Sequence, residues 1–403
     1  MTTGALEGIR VLEYGHLLAA PYCAKLLADL GADVTKVEAP GAGDEARTYG
    51  PFPNDTPHPE KSALFLYLNS NKRSVTLNLA HSSAPDLFRR LAADVHVLIE
   101  DTLPGTLDAC GLGYADLSKA NPGLVMTAIT PFGQYGPRSR HKAYPLNVAH
   151  STGEASLLPA GQPFDPSRPP VRVGQWAASF DAGLSAAIAT LAAVFSALIT
   201  GRGTHIDISV QEQGMAFVRR ELVSHFWENW DESRKERGPR PGSLIRCKDG
   251  HVMIFLLHQH HFKQMLEAMG SPDWGSDERF ATADTRVKNV GVLNELVSAW
   301  AQDHTRDDVY QRAQNAGVPA GIVRKVNDLL EWPQYQARGA IQNRKHPVAG
   351  DVPNLLPPYR FSATPPVLRR AAPLLGEDNE DVYVRRLGLA PGELKRLIIG
   401  GVV

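Results

Sequence analysis

The 403-residue sequence predicts an α/β protein with a mostly parallel, doubly wound sheet and a second, smaller α+β domain. Two observations support this fold class. Over the first 130 residues, short apolar runs alternate with amphipathic segments, and strands that alternate with helices form parallel sheets because each helix returns the chain to the same sheet edge. Beyond residue 240, a hairpin-like β segment precedes a long helical region, which indicates a separate domain.

The first domain begins in β-α-β order. IRVLEYG (9–15) predicts a buried strand, APYCAKLLADLG (20–31) a helix that ends at Gly31, and ADVTKVEAP (32–40) a second strand closed by Pro40. The elements expected next are strands at 74–80, 95–101 and 124–130, and helices at 83–93 and near 115–120.

Residues 182–199 carry no charge and approach the length of a membrane-spanning helix. The run is mostly alanine and contains Ser185, Thr190 and Ser196, so it is weakly hydrophobic for lipid, and we expect a buried core helix. Asp181 directly precedes this run. An acid there either caps free backbone N–H groups of the helix or is directed into a pocket as a catalytic carboxylate.

The second half of the chain is more varied. THIDISVQEQGMAFV (204–218) predicts a short strand that leads into a helix, and the Arg-rich stretch 230–243 predicts an exposed linker. CKDGHVMIFLL (247–257) predicts a hairpin with a D-G turn, and 259–330 has a largely helical pattern. The Pro-rich stretch 346–373 has too little periodicity for packed elements of its own, so we expect it to run over a neighbouring surface.

Charge and cysteine content limit the classes of partner. Lys plus Arg (42) and Asp plus Glu (43) nearly cancel, which argues against nucleic acid or an anionic membrane as partner and favours a small molecule. Cys23, Cys110 and Cys247 lie far apart without a C-x-x-C motif, which predicts reduced thiols and no zinc site. The N-terminal residues lack the pattern of a secretory signal, and we expect a cytoplasmic protein.

Two kinds of ligand site can be weighed from the residues. The loop after the first strand has Gly15 alone where G-x-G-x-x-G is needed, which argues against a dinucleotide. Basic residues near the strand ends, in NSNKRS (69–74) and at Arg138, Arg140 and Lys142, suit a phosphate-bearing ligand at the carboxyl edge of the sheet, or a solvated surface.

Several motifs, in order along nearly the whole chain, resemble those of the class III CoA-transferase family, also called CaiB/BaiF. They are LEGIRVLEYGHLLAAPYCAKLLADLGADVTKVEAPGAGDEAR, LNSNKRSVTLNL, DVHVLIEDTLPGTLDACGLGYADLSKANPGLV, FGQYGP, TGRGTHIDISVQE and PLLGEDNEDVYVRRLGL.

The resemblance implies a large Rossmann-like domain (1–200), a linker with a small α+β domain (201–330), and a C-terminal segment that returns to the large domain (331–403). It also implies a homodimer of interlocked subunits. The substrates would be an acyl-CoA and a small carboxylic acid, with no permanently bound cofactor. In the family, an aspartate attacks the thioester, forming a mixed anhydride and then an enzyme-bound CoA thioester. The implied contacts with coenzyme A are His16, Pro40, Lys72, Arg73, Thr102 and Lys142.

The motif that carries the family aspartate differs in this chain. In the family, a glycine is followed five residues later by the aspartate and four residues after that by another glycine; here Gly174 and Gly183 flank Ser179. Asp181 is a poor replacement within a helix, because two residues rotate a side chain by about 200°. If the helix begins only after Phe180, Asp181 is its N-cap, whereas a local bulge would turn it inward.

Three hypotheses follow from the resemblance and this departure. One is a CoA-transferase that uses Ser179 in an altered mechanism, with His16 or His150 as base, or Asp181 in a shifted geometry. The second is a catalytically silent homologue that binds CoA esters or partners an active subunit. The third, an α-methylacyl-CoA racemase, is disfavoured because Tyr144 stands where racemases have histidine.

Overall fold

The computed structural model describes residues 4–159, 165, 167–174, 176–234 and 240–403. Contacts divide the chain into two compact units. Within the described residues, the larger unit spans Met1–Leu158, Val171–Asp231 and Gln334–Val403, and the smaller unit spans Pro159–Pro170 and Glu232–Pro333.

A six-stranded sheet, parallel throughout, forms the centre of the larger unit, which confirms the predicted α/β class. Its strand order is β3-β2-β1-β4-β5-β6, so the order reverses between β1 and β4. In such sheets, the crevice at the reversal is the usual ligand site. The strands are β1 Arg10–Tyr14, β2 Asp33–Glu38, β3 Lys72–Thr76, β4 Val97–Glu100, β5 Val125–Thr130 and β6 Thr204–Ser209.

Helices cover both faces of this sheet, and two apolar clusters fill the layers between them. Every residue of β4 and β5 is buried, as expected for central strands of a parallel sheet. The helices of this part of the chain, not all of which pack on the sheet, are α1 Ala19–Asp29, α2 Ala63–Leu68, α3 Ala84–Ala93, α4 Thr106–Ala109, α5 Tyr114–Ala120, α6 Pro145–Ser151, α7 Ala177–Thr200, α8 Val210–Met215 and α9 Arg219–Glu228.

The apolar helix α7 packs one face into the apolar core and exposes the other, so the expectation of a buried core helix holds for one face only. Small residues such as Ala182, Gly183 and Ala186 face α1 and strands β5 and β6. The opposite face is apolar and exposed, at Leu184, Ile188, Phe195, Leu198 and Ile199. By length and composition alone, α7 is also long and apolar enough to cross a membrane.

The smaller unit has a three-stranded antiparallel sheet of order β7-β8-β9, covered by helices. The predicted hairpin is present, with its turn at Lys248 and Asp249. Apolar side chains including Ile254, Phe262 and Leu293 form its core. The elements are β7 Gly242–Cys247, β8 Gly250–Phe255, α10 Gln259–Ala268, α11 Ala283–Lys288, α12 Val290–Ala301, α13 Arg306–Asn315, β9 Ala320–Ile322 and α14 Val326–Glu331.

From Gln334 onward, the C-terminal segment belongs to the larger unit. Its elements are α15 Pro333–Ala337, which begins at the boundary, β10 Ile341–His346, β11 Gly350–Leu355 and α16 Pro391–Ile399. Strands β10 and β11 pair as a hairpin, and β11 lies against α2. The expectation that 346–373 has no packed element is therefore wrong for β11. Residues 201–231 also lie in the larger unit, whereas a boundary at 200 was expected; the linker expected at 230–243 lies partly outside the described residues.

A fully buried ion network joins β1, β2 and the loop after β2. The Lys36 ammonium lies 2.7 Å from Glu13, 2.7 Å from Asp44 and 2.7 Å from the Gly15 carbonyl oxygen that accepts its hydrogen bond. Burial alone would lower the pKa of Lys36, but the charges of Asp44 and Glu13 raise it. Such a network is costly to desolvate, and removing one member leaves its partners buried and uncompensated.

We predict that Lys36→Met lowers the free energy of unfolding by about 3–5 kcal/mol, because Asp44 would lose its buried cation. Urea unfolding followed by circular dichroism measures the change. The control is Lys119→Met, which removes the charge of a side chain that is 74% exposed; it should leave the midpoint almost unchanged. Equal effects of the two substitutions would contradict a structural role of the network.

Candidate active site

A cavity of about 230 Å³ lies where the strand order reverses, at the carboxyl ends of the central strands. The loop after β1 supplies one wall, and Asp101, directly after β4, supplies another. The first turns of α6, α7 and α8 complete it. The polar side chains that line the cavity are His16, Glu45, Asp101, Tyr144 and Ser179.

His16 and Asp101 form a hydrogen-bonded pair across the crevice. The His16 backbone N–H donates to Asp101 Oδ2 at 2.8 Å, and His16 Nδ1 lies 3.0 Å from Asp101 Oδ1. The hydrogen bond to Asp101 raises the pKa of His16, although burial opposes this. Because Nδ1 is engaged, Nε2 is the ring nitrogen left for a ligand or a proton.

Ser179 is the third residue of α7 and is 5% exposed. Its backbone N–H donates to the Trp176 carbonyl oxygen at 3.0 Å. Trp176 adopts a left-handed conformation (φ 56°) before the helix begins, and among the described residues no side chain caps this end. The positive end of the helix dipole and a hydroxyl group therefore face the same cavity.

Asp181 does not act as the N-cap of α7, because the helix begins at Ala177. It is the fifth helical residue, two beyond Ser179, and it does not line the cavity. Burial raises the pKa of its carboxyl group. Its charge acts on Glu154 and Tyr22, which are not among the residues that line the cavity. Both open alternatives for Asp181, a cap and a carboxylate turned into the pocket, are thus disfavoured.

Of the residues expected to contact coenzyme A, some lie at the carboxyl edge of the sheet. Pro40 follows β2 and is half-buried. Lys142 is exposed, directly before the segment that lines the cavity from Ala143 onward. Thr102 follows β4 but lines a second cavity, and its hydroxyl donates to Glu100.

Lys72 and Arg73 are not at this edge, because they stand at the start of β3 and not near its end. The Lys72 ammonium is fully buried, 2.7 Å from Glu13 Oε2, and donates to the carbonyl oxygen of Pro21 at 2.8 Å. Arg73 pairs with Asp33 and with acids of the C-terminal segment. The expected position of these two cations beside the ligand groove is corrected accordingly.

Glu100, the last residue of β4, was not among the site residues expected from the sequence. It is 3% exposed and lines the second cavity, of about 220 Å³, together with His205 and Tyr114. Burial raises the pKa of Glu100 to about 7, although hydrogen bonds from the Thr102 hydroxyl and backbone N–H, both at 2.6 Å, lower it. An acid that ends an otherwise apolar run, as in VHVLIED, was the available signal.

We predict that Glu100→Gln stabilises the protein at pH 8 and has little effect at pH 4. The pKa of Glu100 is about 7 in the folded protein and lower in the unfolded chain. Between these two pKa values the folded protein keeps a proton that the unfolded chain has released, so unfolding becomes easier as the pH rises. Stability from this group is therefore complete at low pH and is lost as pH rises through about 7. Thermal unfolding at several pH values should show that the free energy of unfolding of Glu100→Gln exceeds that of wild type by about 1–3 kcal/mol at pH 8. A stabilisation found only at acidic pH would contradict the prediction.

Comparisons with known proteins agree with this architecture. The model of CoA-transferase family III matches residues 6–379. A succinyl-CoA–D-citramalate CoA-transferase of Chloroflexus aurantiacus is 32% identical over 400 residues, covering 97% of this chain and 96% of that protein. A formyl-CoA:oxalate CoA-transferase of Streptomyces coelicolor is 30% identical, with full coverage of both chains.

A solved structure shows the same likeness. The crystal structure of a CaiB/BaiF family protein from Brucella suis superimposes with a TM-score of 0.84 at 30% identity, covering 95% of this chain and 99% of that one. The chain is thus similar to members of this family in both sequence and fold over nearly its whole length. The chain belongs to CoA-transferase family III.

Proposed function

We propose that the chain transfers coenzyme A from an acyl-CoA to a carboxylic acid in the cavity at the sheet reversal. The supporting observation is that Ser179 and the His16–Asp101 pair line one cavity at this edge. We further propose that Ser179 occupies the position of the family aspartate. The spacing of Gly174 and Gly183 and the place of Ser179 in the cavity wall support this assignment.

A serine cannot repeat the chemistry of an aspartate. An aspartate that has taken up an acyl group still has a carbonyl carbon of its own, on which the thiolate of coenzyme A can form an enzyme thioester. The hydroxyl of Ser179 has no such carbon. It could form only an oxygen ester with the acyl group, and this ester does not bind coenzyme A to the enzyme.

We therefore propose that the carboxylate of the acceptor acid attacks the acyl-CoA directly. An oxygen of the acceptor forms a bond to the thioester carbonyl carbon, the C–S bond breaks, and a mixed anhydride and the thiolate of coenzyme A result. The thiolate then attacks the carbonyl carbon of the acceptor, and the donor acid leaves as its carboxylate. Both substrates must be bound together for this sequence, and no covalent enzyme intermediate forms.

The residues of the cavity suit the charges that develop. The Ser179 hydroxyl is a donor for the oxyanion at the thioester carbonyl, and the start of α7 adds its dipole. His16, held by Asp101 and with a raised pKa, can carry a proton and stabilise the departing thiolate. The exposed ammonium of Lys142, beside the cavity, suits a phosphate group of coenzyme A.

A second candidate is a catalytically silent protein that binds acyl-CoA, alone or as partner of an active subunit. The hydroxyl of Ser179 in place of a nucleophilic carboxylate favours it. Some relatives are named as subunits, for example the beta subunit of a succinyl-CoA–L-malate CoA-transferase, 32% identical over 98% of this chain.

We propose that the protein forms a homodimer, in which subunits interlock as the family resemblance implies. The exposed apolar face of α7 supports a protein interface, as do Phe226 (83% exposed) and Trp227 (85% exposed) on α9. Sedimentation equilibrium at micromolar concentration should give about twice the chain mass of 43.9 kDa. A monomer under these conditions would contradict the proposal.

The transfer mechanism predicts how Ser179→Asp behaves. Incubated with an acyl-CoA and no acceptor, wild type should keep its mass, because it forms no covalent intermediate. Ser179→Asp restores a carboxylate in the cavity wall, and it should gain the mass of bound coenzyme A and release the donor acid. Intact-protein mass spectrometry and assay of the free acid measure both results.

Two further variants complete the experiment. Ser179→Ala should lower kcat about 100-fold, as expected when one oxyanion donor is lost, whereas Asp181→Asn, outside the cavity, should change it little. An acyl adduct on wild type would favour a serine ester, and loss of turnover in Asp181→Asn would favour the displaced carboxylate. Binding of CoA esters without turnover would favour the silent protein.

A further inference from the structure

The side chains that line the cavity indicate which carboxylic acids the proposed transfer would use as substrates. Resting on that proposed function, we infer that the acyl group and the acceptor are short monocarboxylic acids with uncharged, apolar tails. Dicarboxylic acids, whose CoA esters carry a second carboxylate, are disfavoured. Size, apolar lining and charge each support this substrate class.

The cavity is small and mostly apolar. Its volume of about 230 Å³ lies below the range of roughly 300–1,000 Å³ that is typical of pockets for drug-sized ligands, which indicates a short acyl chain. Most of its lining is aliphatic, including Leu17, Leu18, Ile129, Val148 and Val210. Contact with methylene and methyl groups is favourable on such a surface, at roughly 0.8 kcal/mol for each buried CH₂.

The charges that line the cavity, within the described part of the chain, do not favour a second carboxylate. Among the described residues, neither lysine nor arginine lines it, and its acids are Glu45 and Asp101. His16, the one basic side chain that the described residues contribute to the lining, already pairs with Asp101. The Glu45 carboxylate accepts a hydrogen bond from the Tyr49 hydroxyl, at 3.3 Å, and the residue is exposed at the cavity wall.

A second carboxylate bound here would therefore meet a lining of net negative charge, because the one positive charge that His16 can carry is already offset by Asp101 and Glu45 adds a further negative charge. Two charges a few ångströms apart near a protein surface repel strongly enough to change affinity by more than tenfold. Lys142 does not offset this, because its exposed side chain is outside the cavity lining. The reacting carboxylate is not affected in this way, because the hydroxyl of Ser179 and the start of α7 lie where it reacts.

The test compares two CoA esters of equal chain length, butyryl-CoA and succinyl-CoA. Isothermal titration calorimetry gives the Kd of each ester for wild type, and a transfer assay with propionate as acceptor gives kcat/KM. Wild type should bind butyryl-CoA at least tenfold more tightly and show the same preference in kcat/KM. Glu45→Gln removes one repelling charge and should narrow the Kd ratio by about threefold or more, through tighter binding of succinyl-CoA.

Glu393→Gln is the matched control, since Glu393 lies in α16, away from the cavity, and its loss should leave the ratio unchanged. Equal binding of the two esters, or preference for succinyl-CoA, would overturn the inference. Preferential binding of butyryl-CoA without turnover would support the inference while contradicting the proposed transfer. Failure to bind either ester would overturn both.

Discussion

The ion network around Lys36 is the constraint on which the candidate site depends. One ammonium, without exposed surface, contacts Glu13 on β1, Asp44 after β2 and the Gly15 carbonyl at the end of β1. Asp44 in turn accepts from the Leu17 backbone N–H at 2.9 Å. Because the partners belong to different elements, the network fixes the loop after β1 relative to the sheet. That loop carries His16 and several apolar residues of the cavity.

Close helix packing fixes the other side of the cavity. Gly183 on α7 approaches α1 so closely that an added Cβ would lie 2.6 Å from the Ala19 carbonyl oxygen. Glycine is therefore required at this contact, because a side chain would push the two helices apart. Ser179 is one helical turn before Gly183, so the same packing holds its hydroxyl at the cavity wall. The long apolar helix thus has a positioning role in addition to its role in the core.

Much of the fold followed from the sequence because the strands and helices differ in their apolar period. The run at 9–15, for example, contains β1 Arg10–Tyr14, and the helix expected at 20–31 is α1. Ser179 could be singled out only through the family motif, since a single serine carries no signal of its own. Strand β11 was missed because GDVPNL contains proline and little apolar alternation, and its pairing with β10 decides its conformation.

The errors at the site came from strand ends and helix ends, which local patterns define poorly. Lys72 belongs to the start of β3, so a motif that suggested a ligand contact in fact supplies a buried cation for Glu13. The role expected for Asp181 depended on where α7 begins. The helix begins at Ala177, after the left-handed Trp176, so Asp181 lies inside the helix and not at its N-cap. The acid Glu100 has its unusual environment only because a second cavity forms around the end of β4.

A structure of the protein with coenzyme A bound tests the central claim, that the cavity at the sheet reversal holds the thioester beside a hydroxyl group. The account predicts that the sulfur atom lies within about 4 Å of the Ser179 Oγ, in van der Waals contact and on the same side as His16. A sulfur atom bound elsewhere, or one placed against Asp181 with Ser179 turned away, would contradict it.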